Sequence, residues 1–341
     1  MLKKSFIVFL MISFLMISVG IGSVCAEDSP FVGDPEETYY MVTFVSGVDY
    51  WSTVFAGFKL AAQDLGVEAK YTGTSEYSIN KHVTAFNQVV SMNPAGIATA
   101  PITPDAFVEP INQAMEAGIP VVSFASDSPR SKQISFITSD NVQEGYAAAD
   151  ALCEAIGGEG EVAVTENPGQ NNHELRIRSF SERIEEEWPD VEVVARYATN
   201  QDTSKAYTGV QQMVQAHPNI KAVFSPEASS GMGAAKAAND LDQDIKVMCV
   251  DLNNSVLDMI KAGDMFAAIQ PDTVTQGYLS MLTLYLAKHE LIDPMNDWKV
   301  NPEKGPIDIP FIDNGLDVVT QENVEHFYSS KYLEAHDMKP W

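Results

Sequence analysis

From residue 39 onward the chain repeats one rhythm, a short β-branched run followed by an amphipathic segment. The runs "YYMVTFVS", "VEAKYT", "AGIATA" and "IPVVSFA" are separated by "WSTVFAGFKLAAQDLG", "INKHVTAFNQVVSM" and "DAFVEPINQAMEAG". Strand, helix, strand, helix is the pattern of a parallel sheet with helices on its faces, because parallel neighbours need a long crossover. Gly66 and Gly118 stand where helix C-caps are expected, and Thr103 reads as an N-cap with Pro104 at the first helical position.

After "ISFITSDN" (134–141) the alternation starts again. Strands "EVAVTE", "VEVVARYA", "KAVFSP" and "IKVMCVD" alternate with expected helices near 142–156, 172–187, 203–216 and 228–240. Strand "MFAAIQ" and helix "TVTQGYLSMLTLYLAKHEL" follow, then a Pro- and Gly-rich stretch, "NPEKGPIDIPFIDNGLDVVT", and an expected last helix near 321–334. A chain of 341 residues exceeds one typical domain. Two successive α/β modules therefore predict two lobes with a cleft between them, and ligands of open α/β sheets bind at the carboxyl ends of strands.

The first residues stand apart from this pattern. Lys3 and Lys4 precede an apolar stretch from Phe6 to Val19, then "GIGSVCA" and the acidic start "EDSP". That is the order of a secretory signal, with Val24 and Ala26 fitting cleavage after residue 26. Lipid attachment at Cys25 and an uncleaved anchor are the alternatives, so the protein is expected to be exported, either free or tethered. Three cysteines make no disulfide framework. Cys153 and Cys249 sit in apolar patterns and read as small buried hydrophobes.

Lys plus Arg number 21 against 47 Asp plus Glu, a formal charge of −26. Such a surface repels phosphate backbones and anionic headgroups, which argues against nucleic acid and peripheral membrane as partners. No glycine-rich phosphate loop follows a strand, and no nucleophile elbow, His-Glu-x-x-His or paired Cys-x-x-Cys is present. His82, His289 and His326 read as solvated helix faces, and Glu185, Glu186 and Glu187 as a surface charge run. An enzyme reading has no nucleophile, metal or cofactor site to stand on.

What remains are strand-end turns carrying polar and aromatic groups. They are Asp49, Tyr50 and Trp51; Ser126 and Asp127; Asn141; Asn172, His173 and Arg176; Glu227; Asp251 and Asn253; and Gln270. Amides, carboxylates and an arginine each engage adjacent hydroxyls, and an aromatic face covers the C–H face of a sugar ring. Each residue alone also fits an ordinary cap or turn. For Tyr50 and Trp51 the alternative to a ligand contact is a hydrophobic staple on the first helix.

At this point the sequence resembles the periplasmic ribose-type sugar-binding proteins of ABC transporters, over residues 39–330. The likeness lies in the opening strand with its paired aromatics, "IPVVSF" followed by Ser126-Asp127, "ITSDN", "AHPNIKAVFS", "GAAKAA" and "VMCVDLN". It implies two Rossmann-like lobes with parallel sheets, joined by three crossing segments near 140, 271 and 306, which close around one monosaccharide. The implied lobes are 38–140 with 272–305, and 141–271 with 306–341. Tyr50 and Trp51 match the family's ring-stacking aromatics, Arg176 its sugar-contacting arginine, Asp251 its hydroxyl-binding aspartate and Gln270 its glutamine at the second crossing, while Asn141 closes the "SDN" of the first. Ala125-Ser126 and Glu227 depart from the ribose pattern.

A closer likeness is the subgroup that binds rhamnose or a furanose-type autoinducer, through "YTGTSE", "SPEA" and "DNGLDVVTQENVEHF". Pro226 and Ala228 match its contacts, whereas Phe44, Ala125 and Asn172-His173 do not. The resemblance implies a non-enzymatic, monomeric receptor without a cofactor, which captures a sugar or polyol and hands it to the permease of an ABC importer. The alternative is a sensor that presents the ligand to a chemoreceptor or histidine kinase.

Overall fold

The computed structural model describes residues 31–47, 49–101, 103–241, 243–289, 291 and 311–328. Expectations for residues 1–26, and for the end of the helix placed near 321–334, lie outside the described residues.

Strands β1 (Thr38–Thr43), β2 (Glu68–Gly73), β3 (Gly96–Thr99), β4 (Val121–Phe124) and β5 (Phe136–Thr138) form a parallel sheet in the order β2-β1-β3-β4-β5. Helices α1 (Asp49–Leu65), α2 (Ile79–Ser91) and α3 (Pro104–Glu116) are its crossovers. The sheet is buried on both faces: β3 and β4 are buried at every residue, which is why they read as continuous apolar runs rather than alternating ones. One core cluster gathers Phe58, Phe124 and Leu284, and the other gathers Phe86, Phe107 and Ile111.

The second sheet repeats the plan with β6 (Gly160–Glu166), β7 (Val191–Ala198), β8 (Ile220–Ser225), β9 (Lys246–Val250) and β10 (Ala267–Pro271), in the order β7-β6-β8-β9-β10. Its helices are α4 (Asn141–Ala155), α5 (Asn171–Glu187), α6 (Thr203–Ala216), α7 (Ala228–Asp240) and α8 (Asn254–Ala262). Residues 254–262 were not expected to be helical. The signals of α8 are local all the same: Val256, Leu257 and Ile260 share a buried stripe, Asn253 caps its start and Gly263, at φ 84°, its end. Thr103 does occupy the N-cap of α3, without a side-chain cap bond. Cys153 and Cys249 are both free and buried, in different core clusters.

The chain then crosses back. Helix α9 (Thr273–Lys288) packs on α1 in the first lobe, where the two helices touch through paired glycines. A Cβ on Gly57 would lie 1.9 Å from the Val274 carbonyl oxygen, and one on Gly277 1.7 Å from that of Val54. Only glycine permits backbones to approach so closely.

Two strands lie in the Pro- and Gly-rich stretch, for which the sequence pattern named no element. β11 (Phe311–Asp313) pairs parallel to β5 in the first sheet, and β12 (Leu316–Thr320) antiparallel to β10 in the second. The third crossing therefore falls at Asn314 and Gly315, not near 306, and residues 311–313 belong with the first lobe. Where a helix was expected from 321, the described residues hold a 3₁₀ turn at Val324–His326.

One side chain ties the crossings together. Gln276 Nε2 donates to the Ile137 carbonyl at 3.1 Å and to Asn314 Oδ1 at 3.2 Å. Asn314 Nδ2 in turn donates to the Asp272 carbonyl at 3.0 Å. Buried amides satisfied on both sides hold the joint between the lobes in register.

Candidate functional site between the lobes

Carboxyl ends of strands from both sheets meet at one place. A small open cavity has Tyr50 and Thr53 of α1 on one side and Leu252, Asn253, Asn254, Leu257 and Gln270 on the other. Thr273, at the second crossing, and Phe327 complete its walls. Three of the expected residues, Tyr50, Asn253 and Gln270, thus line a single interlobe space. Thr53, Leu257, Thr273 and Phe327 were not foreseen, because nothing in their local pattern marks a wall contributed by another element.

Backbone strain concentrates at the strand ends. Val45 (φ 45°), Ala125 (φ 57°) and Asp251 (φ 70°) all adopt left-handed conformations just after β1, β4 and β9. For a β-branched valine this region is a true outlier, and such outliers cluster where a site must present groups in one fixed direction.

The electrostatic centre is Arg176, 5% exposed on the first turns of α5. Its Nε donates to Glu144 Oε2 at 2.5 Å and its Nη1 to the Pro226 carbonyl at 2.9 Å. Nη1 also lies 3.7 Å from Asp251 Oδ2. Burial alone would lower the arginine's pKa, but Glu144 and Asp251 outweigh it and hold the guanidinium firmly charged. Asp251 is pushed up to about 6, by burial first; Arg176 opposes the shift, and Glu144 and Glu227 reinforce it. Tyr50 reaches this set from the opposite lobe. Burial and then the charge of Asp251 raise its phenol above the ordinary value, while its hydroxyl donates to Gln276 Oε1 at 2.9 Å.

Other expected residues make contacts within their own lobes. Trp51 is 7% exposed in the first-lobe core, edge-on to Phe44, Tyr50 and Phe124 at centroid distances of 5.4, 5.0 and 5.8 Å. It packs among first-lobe aromatic rings, and its indole nitrogen has no hydrogen-bond partner among the described residues. Ser126 Oγ donates to the Pro101 carbonyl at 2.6 Å, and Asp127 Oδ1 accepts from Ser123 Oγ at 3.2 Å and Gln133 Nε2 at 2.5 Å. Glu227 caps α7, taking Ser229 N at 2.5 Å and Ser230 N at 2.8 Å, and Ala228 packs beside it on the second-lobe core.

His173 is buried against Asn167 at 3.0 Å, and burial followed by the charge of Arg176 lowers it to about 3, so it stays neutral. Asn172 is half-buried on the same turn, Asn141 opens α4 after the Asp140 cap, and Asp49 opens α1. Asn253 Oδ1 doubles as the α8 cap, accepting from Val256 N at 2.9 Å.

One histidine contradicts the surface reading. His82 is fully buried, 4.6 Å from the Phe107 ring, and burial lowers it to about 4. It lies on the same stripe of α2 as Phe86 and Val89, a spacing of four and three that the sequence does display. Glu144, the fully buried partner of Arg176, had no such signal. Among the described residues no three His, Cys, Asp or Glu are placed to hold a metal ion, and no helix is long and apolar enough to cross a membrane.

Comparison with known proteins agrees with this geometry. The family model described as "Periplasmic binding protein domain" matches residues 39–290. The D-allose-binding periplasmic protein of Escherichia coli is 27% identical over 64% of this chain and 74% of its own length. A ribose import binding protein of Bacillus subtilis is 23% identical over 80% of this chain and 90% of its own. Among solved structures, an arabinose-binding protein from Geobacillus stearothermophilus is 36% identical with a TM-score of 0.81, covering 86% of this chain and 100% of that one. The two-lobed fold, the cleft at the strand ends and the match across the core of the chain agree: this protein belongs to the periplasmic binding protein family.

Proposed function

We propose that this protein is an exported solute receptor, which encloses one monosaccharide or related polyol between its lobes and delivers it to the permease of an ABC importer. The observation that carries this reading is the convergence at one interlobe cavity of Tyr50, Asn253 and Gln270, beside the Arg176–Asp251 pair. Amides and a carboxylate are suited to vicinal hydroxyls, and Arg176 adds charge-assisted donors. Relatives named for allose, ribose and arabinose support a sugar ligand. Because curated relatives carry import names, delivery to a transporter is favoured over signalling to a chemoreceptor.

In this reading the ligand rests on the second lobe, and the first lobe, bearing Tyr50, closes over it about the three crossings. The receptor acts as a monomer without catalysing a reaction. Its N-terminal segment directs export and is then cleaved or kept as a tether. The likeness to the rhamnose and autoinducer subgroup places those two compounds in the ligand panel.

The test is thermal unfolding of the purified protein against pentoses, hexoses, deoxyhexoses, polyols and the autoinducer. A ligand at a hundred times its Kd adds about 2.7 kcal/mol to stability, enough to move Tm by several degrees. A shift confined to one stereochemical group of sugars is expected. No shift with any member would overturn the sugar assignment.

A further inference from the structure

Glu144 has no exposed surface, and a charged side chain in such a place needs partners for both oxygens. It has them. Oε1 accepts from Ser139 Oγ, on the first crossing, and Oε2 from Arg176 Nε at 2.5 Å. The contact exists because α4 and α5 press together at Gly145, where a Cβ would lie 2.0 Å from Ser179 Oγ and 2.4 Å from the Arg176 carbonyl oxygen.

The consequence for the cleft is geometric. A carboxylate engages arginine best through two parallel N–H bonds along one edge of the guanidinium. Here Glu144 occupies Nε and the Pro226 carbonyl occupies Nη1. The charge pattern points the same way: Glu144 and Asp251 both face this one guanidinium, and Glu227 acts in turn on Asp251. An incoming anion meets an arginine with one nitrogen already bonded on each of its two edges, Nε–Nη2 and Nη1–Nη2, and with two carboxylates already beside it.

We propose that Glu144 is a specificity-determining residue of the cleft: it holds Arg176 so that the arginine donates to neutral hydroxyls but cannot clamp a carboxylate, and sugar acids are thereby excluded. This rests on the sugar-receptor reading above and assigns a role to a residue that faces the arginine rather than the ligand.

The test is calorimetric titration of the purified protein with L-arabinose, D-galactose and D-galacturonate, and with D-xylose, D-glucose and D-glucuronate, where each acid shares ring stereochemistry with its neutral partners. The wild type is expected to bind the acid at least about 100-fold more weakly than the tighter of its neutral partners. Glu144→Gln keeps the shape and removes the charge; it is expected to narrow that ratio at least about tenfold by tighter acid binding. Glu144→Asp keeps the charge and is expected to preserve the ratio.

Acid binding by the wild type within tenfold of the neutral sugar overturns the proposal. So does an unchanged ratio in a Glu144→Gln protein whose circular dichroism matches the wild type. Should Glu144→Gln fail to fold, the wild-type ratio together with Glu144→Asp decides. If no neutral sugar of this set or of the unfolding panel binds the wild type, the sugar reading falls and the proposal with it, whereas neutral binding with an unchanged ratio removes only the role of Glu144.

Discussion

Asp251 concentrates several of the site's properties in one residue: a left-handed backbone, a carboxyl pushed up to about 6 by burial, and an arginine 3.7 Å away. If its carboxylate accepts a ligand hydroxyl, the ionised form is the binding form. An acid with its pKa raised from the usual value loses that form as pH falls through about 6, so affinity falls in the same direction. We expect Kd at pH 5 to be about tenfold weaker than at pH 7.5, and the dependence to vanish in Asp251→Asn; calorimetry across pH checks it, and a flat wild-type profile would contradict it. Sequence alone singled out Tyr50, Arg176, Asp251, Asn253 and Gln270, because strand-end turns are a position that spacing can reveal. Ser126, Asp127 and Glu227 occupy the same kind of turn, with polar atoms bonded to neighbouring backbone and side chains. Which hydrogen bonds a turn residue makes depends on elements distant in the chain, and Glu144, 32 positions from Arg176, illustrates the same limit.

Elements were more legible than residues. Strands β1 to β4 and β6 to β10 and most helices follow the alternation, since continuous apolar runs and 3.6-residue stripes are local signals. Short pieces were read less well: β11 spans three residues and owes its form to the sheet it joins, while α8 was missed although its caps and apolar stripe are local. The pairing of α1 with α9 is a further case, since glycines more than 200 positions apart specify it. Gly277→Ala would place a methyl 1.7 Å from the Val54 carbonyl oxygen, so the two helices must separate. We expect a loss of about 1–3 kcal/mol in denaturant unfolding, the range of overpacked cores, and weaker ligand binding as Tyr50 and Gln276 move apart. An unchanged unfolding midpoint would show that the helices do not need this contact.

At the scale of the whole molecule, the cavity-lining Tyr50 hydrogen-bonds Gln276, and Gln276 bonds the other two crossings through Ile137 and Asn314. Contact at the cleft is thus one hydrogen bond away from the joint about which the lobes would turn. The two-module plan was visible in the sequence because each module restarts the same rhythm. The third crossing was misplaced because its strands sit among prolines and glycines that resemble loop. The central claim is that a sugar is held between the lobes by groups from both. It is tested most directly by calorimetric titration of the tightest sugar from the panel into the wild type, Tyr50→Phe and Asp251→Asn. The account predicts one site per chain, with affinity at least tenfold weaker in Asp251→Asn and measurably weaker in Tyr50→Phe. Unchanged affinity in both variants, with their folding intact, would place the ligand elsewhere and contradict it.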